Sequence, residues 1–156
     1  MSPASEFKRP VSVLVVIHTP TFEVLLLERV APPGFWQSVT GSLEADETPA
    51  AAALRELAEE TGIVAVPAQL VDWQRTHRFE IRPEWRRRYA PDVSHNTEHV
   101  FSLCLPERRP VRLAADEHRS QLWLPQQEAA RKVFSWSNRD AILSLGQPLA
   151  PAAPGR

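Results

Sequence analysis

Four of the five glutamates in the segment 41–63 lie in an order that suits the binding of a divalent cation. Three of them are Glu56, Glu59 and Glu60, and the fourth, Glu47, lies upstream of them. At 3.6 residues per helical turn, the first three fall within an arc of roughly 100°. Carboxylate oxygens are the ligands that Mg2+ prefers, and Mg2+ fills its remaining positions with water and phosphate oxygens. The segment therefore predicts a metal site that faces a phosphate-containing substrate.

A solvated charged surface is the alternative interpretation of glutamates on a helix. Like charges three or four residues apart destabilise a helix by roughly 0.2–0.5 kcal/mol per pair. No lysine lies among these glutamates to offset that repulsion. The unrelieved clustering favours the metal site over the solvated surface.

The helix that must carry the glutamates has clear ends in the sequence. Thr48 suits the N-cap, Pro49 suits the first helical position, and Gly62 suits the C-terminal end. The remaining apolar residues predict a narrow core-facing surface opposite the glutamates, made of Ala50, Ala51, Leu54, Leu57 and Ala58.

Several apolar segments around this helix are typical of strands. Residues 11–17 form a nearly unbroken β-branched run that predicts a buried strand, and residues 18–22 suit a hairpin turn. Ser137 is the expected cap of a last helix that runs through Leu145 and ends at Gly146. Further strands are predicted at 23–29, 70–81, 99–105 and 120–124. This mixture of strands with two or three helices predicts an α/β sandwich.

The composition fits one domain over residues 1–146, followed by a proline- and alanine-rich tail at 147–156 that we expect to be disordered. The formal net charge of -1 gives no general attraction to nucleic acid or to an anionic membrane. We find no signal peptide and no apolar run long enough to span a bilayer. The only cysteine, Cys104, is expected to be a buried thiol. We predict a cytoplasmic protein that binds neither nucleic acid nor membranes, with its oligomeric state open.

The segment 41–63 matches the pattern Gly-x5-Glu-x7-Arg-Glu-U-x-Glu-Glu-x-Gly-U, where U is aliphatic, at every defined position. On these residues the chain resembles the Nudix hydrolases. The resemblance implies a Nudix-type α/β/α sandwich with a mixed sheet, and cleavage of a phosphoanhydride with Mg2+, or with Mn2+ in its place. It also implies that Glu56 and Glu60 bind metal, that Glu59 is a further ligand or base, and that Arg55 pairs with Glu47 to brace the loop.

Blocks outside that segment resemble one branch of the family, the bacterial enzymes that release pyrophosphate from dihydroneopterin triphosphate for folate biosynthesis. The resemblance implies that Lys8 and Arg29 contact the triphosphate and that Glu117 completes the metal site. It further implies substrate contacts from the hydroxyls of Thr40 and Ser135 and from Phe79, Glu80, Ile81 and Arg82. The blocks that carry this resemblance are 8–17, 35–42, 88–91, 96–98, 117–118 and 135–139.

The general base that would take the proton of the attacking water stays open among Glu59, Glu98 and Glu117. The substrate has an alternative too, because a nucleoside triphosphatase acting on dATP or oxidised dGTP would use the same chemistry. A module of another class, which senses a nucleotide without catalysis, would be expected to lack some of the carboxylates that are present here.

Other residues have a structural interpretation that competes with a functional one. Trp36 and Trp136 are more often core residues than platforms for a pterin ring, although a tryptophan face suits stacking. Residues 86–88 are arginines that suit a solvated basic patch. Four histidines do not have the spacing of a zinc site and are not assigned to metal: His77, His95, His99 and His118.

Overall fold

The computed structural model describes residues 7–148. Residues 149–156 of the predicted disordered tail lie outside this range, so that expectation stays a prediction. Within the described range, none of the helices has the length and apolar character needed to cross a bilayer.

The described residues form one seven-stranded sheet and three α-helices. The strands are β1 (Val11–His18), β2 (Glu23–Arg29), β3 (Trp36–Gln37), β4 (Val39–Ser42), β5 (Leu70–Glu80), β6 (His95–Cys104) and β7 (His118–Pro125). The helices are α1 (Pro49–Thr61), α2 (Gln126–Lys132) and α3 (Trp136–Leu143), and short 3-10 turns cover Pro67–Gln69 and Pro83–Arg88.

The sheet is mixed, with β1 near its centre. The strand order is β3-β2-β1-β6-β5, while β4 pairs with β1 and β7 pairs with β2. Strands β1 and β6 run parallel to each other, and the other pairs are antiparallel. The β-branched composition of β1 suits this position, because a central strand is covered on both faces.

Two apolar cores lie on opposite faces of the sheet. Val13 and Val15 of β1 pack with Leu57 of α1 on one face. Leu14 of β1 packs with Ile142 of α3 on the other face, together with residues of α2. Because successive side chains of a strand point to opposite faces, one strand serves both cores. The fold is therefore the predicted α/β/α sandwich.

Helix α1 has the predicted ends. The hydroxyl of Thr48 accepts a hydrogen bond from the Ala51 amide at 3.2 Å, and Gly62 follows the helix with a left-handed φ of 74°. The predicted cap of α3 was wrong. Ser135 has the extended backbone that an N-cap needs and accepts a hydrogen bond from the Asn138 amide, whereas Ser137 lies within the helix.

The predicted core-facing side of α1 was wrong for its first turn, whereas Leu57 is buried and Leu54 and Ala58 are half-buried. Ala50 and Ala51 are exposed, and the buried residues are Ala52, Ala53, Glu56, Leu57, Glu60 and Thr61. Glu56 and Glu60 therefore lie on the buried side of the helix, whereas Glu59 is exposed. The prediction placed the core side of the helix opposite the glutamates, but Glu56 and Glu60 are themselves buried beside β4.

Cys104 differs from its prediction as well, because it is exposed at the end of β6. Residues 100–103 of β6 are buried on both faces of the sheet. Cys104 is the last residue of the strand and lies outside this buried part.

Candidate active site

A cleft of about 1060 Å3 lies where α1, β4, the loop before β7 and the start of α3 meet. All of the residues that were predicted to contact the substrate line this cleft. Among the predicted metal ligands and bases, Glu56, Glu59, Glu98 and Glu117 also line it. Glu60 lies behind this surface and is 1% exposed.

Gly41 allows the close approach of α1 to β4. A Cβ atom on this residue would overlap the carboxylate of Glu56. The glycine therefore gives the Glu56 side chain room against the strand, which explains why the carboxylate can occupy a buried position beside the cleft.

Arg55 binds the acidic groups of the loop and the helix together. Its Nε and Nη2 atoms donate to the two carboxylate oxygens of Glu47 at 2.7 and 2.8 Å. Its Nη1 atom lies 2.7 Å from Glu56 and 3.2 Å from Glu59, and Nη2 donates to the Ser42 carbonyl at 3.1 Å. The hydrogen bonds from Arg55 hold the pKa of Glu47 below its usual range. The Arg55–Glu47 pair that the resemblance implied is thus present.

Glu60 has an unpaired oxygen in a nearly closed environment. Among the described residues, no group donates a hydrogen bond to its Oε1 atom. Burial, followed by the hydrogen bond and the charge of Glu56, raises its pKa well above the usual range. A buried carboxylate oxygen without a partner is costly, and a divalent cation would supply that partner.

Glu117 reaches the same place from the loop before β7. Ligand atoms of Glu60, Glu117 and His118 all lie within 4.8 Å of one another. Loss of surrounding water and the nearby Glu56 charge raise the pKa of Glu117. Three carboxylates from two distant segments thus converge, and a set of hard oxygen donors fits Mg2+ or Mn2+.

His118 was not singled out by the sequence. Burial and the Arg29 charge lower its pKa to about 4, so the ring is neutral near pH 7. Its Nε2 atom lies 3.1 Å from the side-chain amide nitrogen of Gln37, which donates to it. The proton of the neutral ring is therefore on Nδ1, which lies 3.9 Å from Glu60. His118 comes to Glu60 only through the pairing of β7 with β2, and this long-range pairing leaves no local signal in the sequence.

Cationic groups line the cleft opposite the carboxylates. Burial lowers the pKa of Lys8, and the charges of Arg88 and Arg29 lower it further. Burial and then the Arg88 charge likewise lower the pKa of Arg29. Three cations that repel one another across a cleft form a site for an anion with several charges.

Arg88 differs from the solvated patch that was expected for residues 86–88. It lines the cleft, whereas Arg86 and Arg87 do not. The reason lies in the 3-10 turn Pro83–Arg88, in which residues three apart share a face. Arg82, Trp85 and Arg88 follow this spacing and all line the cleft, so the spacing is a signal that could have identified Arg88.

The predicted segment of substrate contact, residues 79–82, continues from β5 into the cleft wall. Ile81 is buried, Phe79 is half-buried, and Glu80 and Arg82 are exposed. The Arg82 guanidinium lies 5.1 Å from the centre of the Phe35 ring. The wall on this side is therefore both aromatic and cationic.

The two predicted hydroxyl contacts are already engaged within the protein. Thr40 donates its hydroxyl proton to the Val13 carbonyl at 2.8 Å, and Ser135 uses its oxygen to cap α3. Both side chains still line the cleft. In a bound state, the Thr40 oxygen could accept a hydrogen bond and the Ser135 proton could donate one.

The two tryptophans separate into a core residue and a cleft residue. Trp36 packs against the core beside α2 and α3. Trp136 is 53% exposed and lines the cleft, and its ring centre lies 5.3 Å from the His77 ring centre in an edge-to-face arrangement. Only Trp136 is therefore placed to stack on a substrate ring.

We expect Gly41→Ala to weaken metal binding without unfolding the protein. The added methyl group would displace the Glu56 carboxylate, because that flexible side-chain end can move more easily than the backbone of β4. The Mg2+ concentration for half-maximal activity should rise about tenfold or more, as when a group that orients a metal ligand is lost. Titration of activity with Mg2+ measures the change, and an unchanged Tm shows that the fold is retained. An unchanged Mg2+ requirement would contradict the placement of Glu56.

Comparison with protein families shows that residues 8–145 match the NUDIX domain. A dihydroneopterin triphosphate diphosphatase of Escherichia coli is 50% identical to this chain over 139 residues, which cover 87% of this chain and 91% of that protein. A protein of the same name from Haemophilus influenzae is 41% identical over 140 residues, which cover 88% and 87% of the two chains.

Among solved structures, the E. coli dihydroneopterin triphosphate pyrophosphohydrolase superposes with a TM-score of 0.83 at 49% identity. The match covers 89% of this chain and 96% of that chain. A NUDIX hydrolase from Listeria monocytogenes superposes with a TM-score of 0.72 at 22% identity, and this more distant likeness supports the fold alone.

Proposed function

This chain belongs to the NUDIX family, and from that membership and its near-complete match to the relatives described above we propose that it hydrolyses dihydroneopterin triphosphate. The products are dihydroneopterin monophosphate and pyrophosphate. The observation that carries the proposal is one cleft that is lined by the carboxylates of Glu56 and Glu117 and by the cations of Lys8 and Arg29, with the buried Glu60 behind it.

We propose Mg2+ as the ion, with Mn2+ able to replace it. Glu56, Glu60 and Glu117 would hold it, and Glu59 is a further candidate ligand, because its side chain is half-exposed at the same end of α1. The unpaired Oε1 atom of Glu60 is the main support for this assignment. When bound, the ion would neutralise charge on the anhydride oxygens and on the leaving pyrophosphate.

The protein's own groups bind and orient the substrate. Lys8, Arg29 and Arg88 would pair with phosphate oxygens, and the arginines can do so through two parallel hydrogen bonds. Arg55, which also lines the cleft, holds Glu56 in place through an ion pair of 2.7 Å. Binding at both ends of the triphosphate would align the scissile anhydride between the cations and the carboxylates.

Proton transfer from the attacking water needs a carboxylate. Glu59 and Glu117 lie close to the metal-binding Glu56, because, in addition to burial, the charges of Glu56 and Glu59 both raise the pKa of Glu117. Glu98 lies elsewhere in the cleft, on β6. All three stay candidates for the base in the proposed reaction.

The decisive experiment compares dihydroneopterin triphosphate with dATP and oxidised dGTP as substrates in the presence of Mg2+. We expect kcat/KM for the pterin to exceed the values for the purines by about tenfold or more. Pyrophosphate release and product mass measure the reaction, and EDTA should abolish it. Preference for a purine would contradict the pterin assignment. Nucleotide binding without pyrophosphate release would show a sensing module instead of an enzyme.

A further inference from the structure

Glu98 lies on the face of the sheet that α1 does not cover. It is in register with Ser12 of β1 and with His77 of β5. Residues paired across strands share a face, and Ser12 shares its face with Leu14, which belongs to the core under α2 and α3. Glu56 and Glu60 come from α1, on the opposite face.

The electrostatics agree with this separation. The charges that act most on the pKa values of Glu60 and Glu117 come from the acids of α1 and of the loop before β7. Glu98 is not among these largest contributors. A base must lie within hydrogen-bond reach of the attacking water, so this position suits contact with another part of the substrate.

The carboxylate of Glu98 is hydrogen-bonded to a buried histidine, His77. The Nδ1 atom of His77 lies 3.3 Å from Glu98 Oε1, and its Nε2 atom lies 2.7 Å from Asp140 Oδ2. The hydrogen bond to Glu98, and then the one to Asp140, raise the pKa of His77 against its burial. Among the described residues, the charged groups that face His77 are these two carboxylates, one on β6 and one on α3, and the Trp136 ring packs against the His77 ring at an interplanar angle of 76°. A protonated His77 donates to both carboxylates and fixes the position of the Glu98 side chain.

Two hydrogen-bond acceptors then remain for a ligand in the cleft. Among the described residues, no group donates to Glu98 Oε2, and the residue lines the cleft. Asn96 lies two residues earlier on the same face, is 3% exposed, and has a buried Oδ1 atom without a donor in the described part of the chain. Its Nδ2 atom is already used, because it donates to the Ser12 hydroxyl at 2.7 Å. Unpaired acceptors on residues that line one cleft call for a ligand with hydrogen-bond donors.

The ring of the proposed substrate carries such donors. The 2-amino-4-oxo edge of a pterin presents an N–H group and an amino group side by side, which matches a carboxylate as a guanidinium does. We propose that Glu98 binds this edge, held in place by His77 and Asp140, with Asn96 as a second acceptor and Trp136 beside the ring. Glu98 then determines specificity, and proton transfer falls to Glu59 or Glu117. This inference rests on the proposed function.

The test uses two nucleotides that differ only in the donor at issue. GTP has the same 2-amino-4-oxo edge as a pterin, whereas ITP lacks the amino group. We expect Glu98→Gln to lower kcat/KM for dihydroneopterin triphosphate by about 10- to 100-fold, as for the loss of a charge-assisted hydrogen bond. The variant should also weaken the binding of GTP to the metal-free protein by about tenfold or more, while ITP binding changes less than about threefold.

Several outcomes overturn the inference. An equal fall in kcat for substrates with and without the amino group would make Glu98 the base. Equal loss of GTP and ITP binding, or no change in either, would also remove its role in recognising the ring edge. The nucleotide measurements need no pterin turnover, so failure of the wild-type protein to hydrolyse dihydroneopterin triphosphate would reject the proposed function separately.

A variant at an exposed residue keeps the inference testable if Glu98→Gln, at a buried residue, fails to fold. Asp140 is 53% exposed in its side chain, so Asp140→Asn should fold normally while it weakens the support of His77. We expect the same pattern with a smaller loss, about threefold for GTP and none for ITP. Asp92→Asn, at another exposed aspartate, is the matched control and should leave both affinities unchanged.

Discussion

Glu60→Gln is expected to lower kcat by about 1000-fold or more, a loss of roughly 4 kcal/mol of transition-state stabilisation. The amide keeps the size of the side chain but removes the charge that would bind the divalent ion. Glu60 is 1% exposed, so water cannot replace it as a ligand. The fold should be retained, because removal of a buried charge next to Glu56 relieves repulsion in the metal-free protein.

Thermal unfolding with and without Mg2+ separates a metal ligand from a structural residue. A ligand that binds only the folded wild-type protein stabilises it by about 2.7 kcal/mol at 100 times its Kd. The variant should show little of this gain in Tm. Glu107→Gln, at an exposed loop glutamate, should behave as the wild type in both assays. Wild-type turnover by Glu60→Gln would remove the metal-ligand assignment.

The local parts of this site were predictable because their signals are contiguous in sequence. Thr48, Pro49 and Gly62 each act within one turn of α1, so the ends of the helix followed from capping chemistry. The pairing of Arg55 with Glu47 likewise joins two residues of one loop-helix segment. The burial of β1 between two cores followed from its uninterrupted apolar run, since alternate side chains of the strand enter opposite cores.

The parts that failed depend on tertiary position. Helical periodicity placed Glu56 and Glu60 together, but it could not show that this side of the helix is buried against Gly41. Composition made Arg88 part of a basic patch with Arg86 and Arg87, but Arg88 lines the cleft and the other two do not. Both errors concern charged residues, which usually face solvent, and a functional cleft reverses that preference.

The residues alone also could not predict that charged groups far apart in the sequence meet in one cleft. Lys8, Arg29 and Glu117 are ordinary surface charges by composition, and only resemblance assigned them to the site. In the fold, β2 leads to Arg29 and pairs with β7, directly before which Glu117 lies. The Val30 amide donates to the Glu117 carbonyl at 2.9 Å, which ties these two segments together. The pairing of β2 with β7 therefore brings a cation and a metal ligand to the same cleft.

Arg55→Ala should lower kcat by about 100-fold, because displacement of a catalytic group by about 1 Å can have an effect of that size. Arg55 is the donor that fixes Glu56, and it also neutralises Glu47 and Glu59. Without it, the carboxylates of α1 and the preceding loop repel one another, and the loop loses its hydrogen bond at the Ser42 carbonyl. The free energy of unfolding should fall by roughly 2–3 kcal/mol, since several charge-assisted hydrogen bonds of a partly buried group are lost.

Arg55→Lys distinguishes geometry from charge. Lysine keeps the positive charge but lacks the planar fork that reaches both oxygens of Glu47 while it also contacts Glu56. We therefore expect it to recover part of the stability in urea denaturation and little of kcat. Arg131→Ala, at an exposed arginine of α2, is the control and should change neither quantity. Full recovery of kcat by lysine would mean that Arg55 acts only by its charge, and that the position of Glu56 does not depend on the guanidinium.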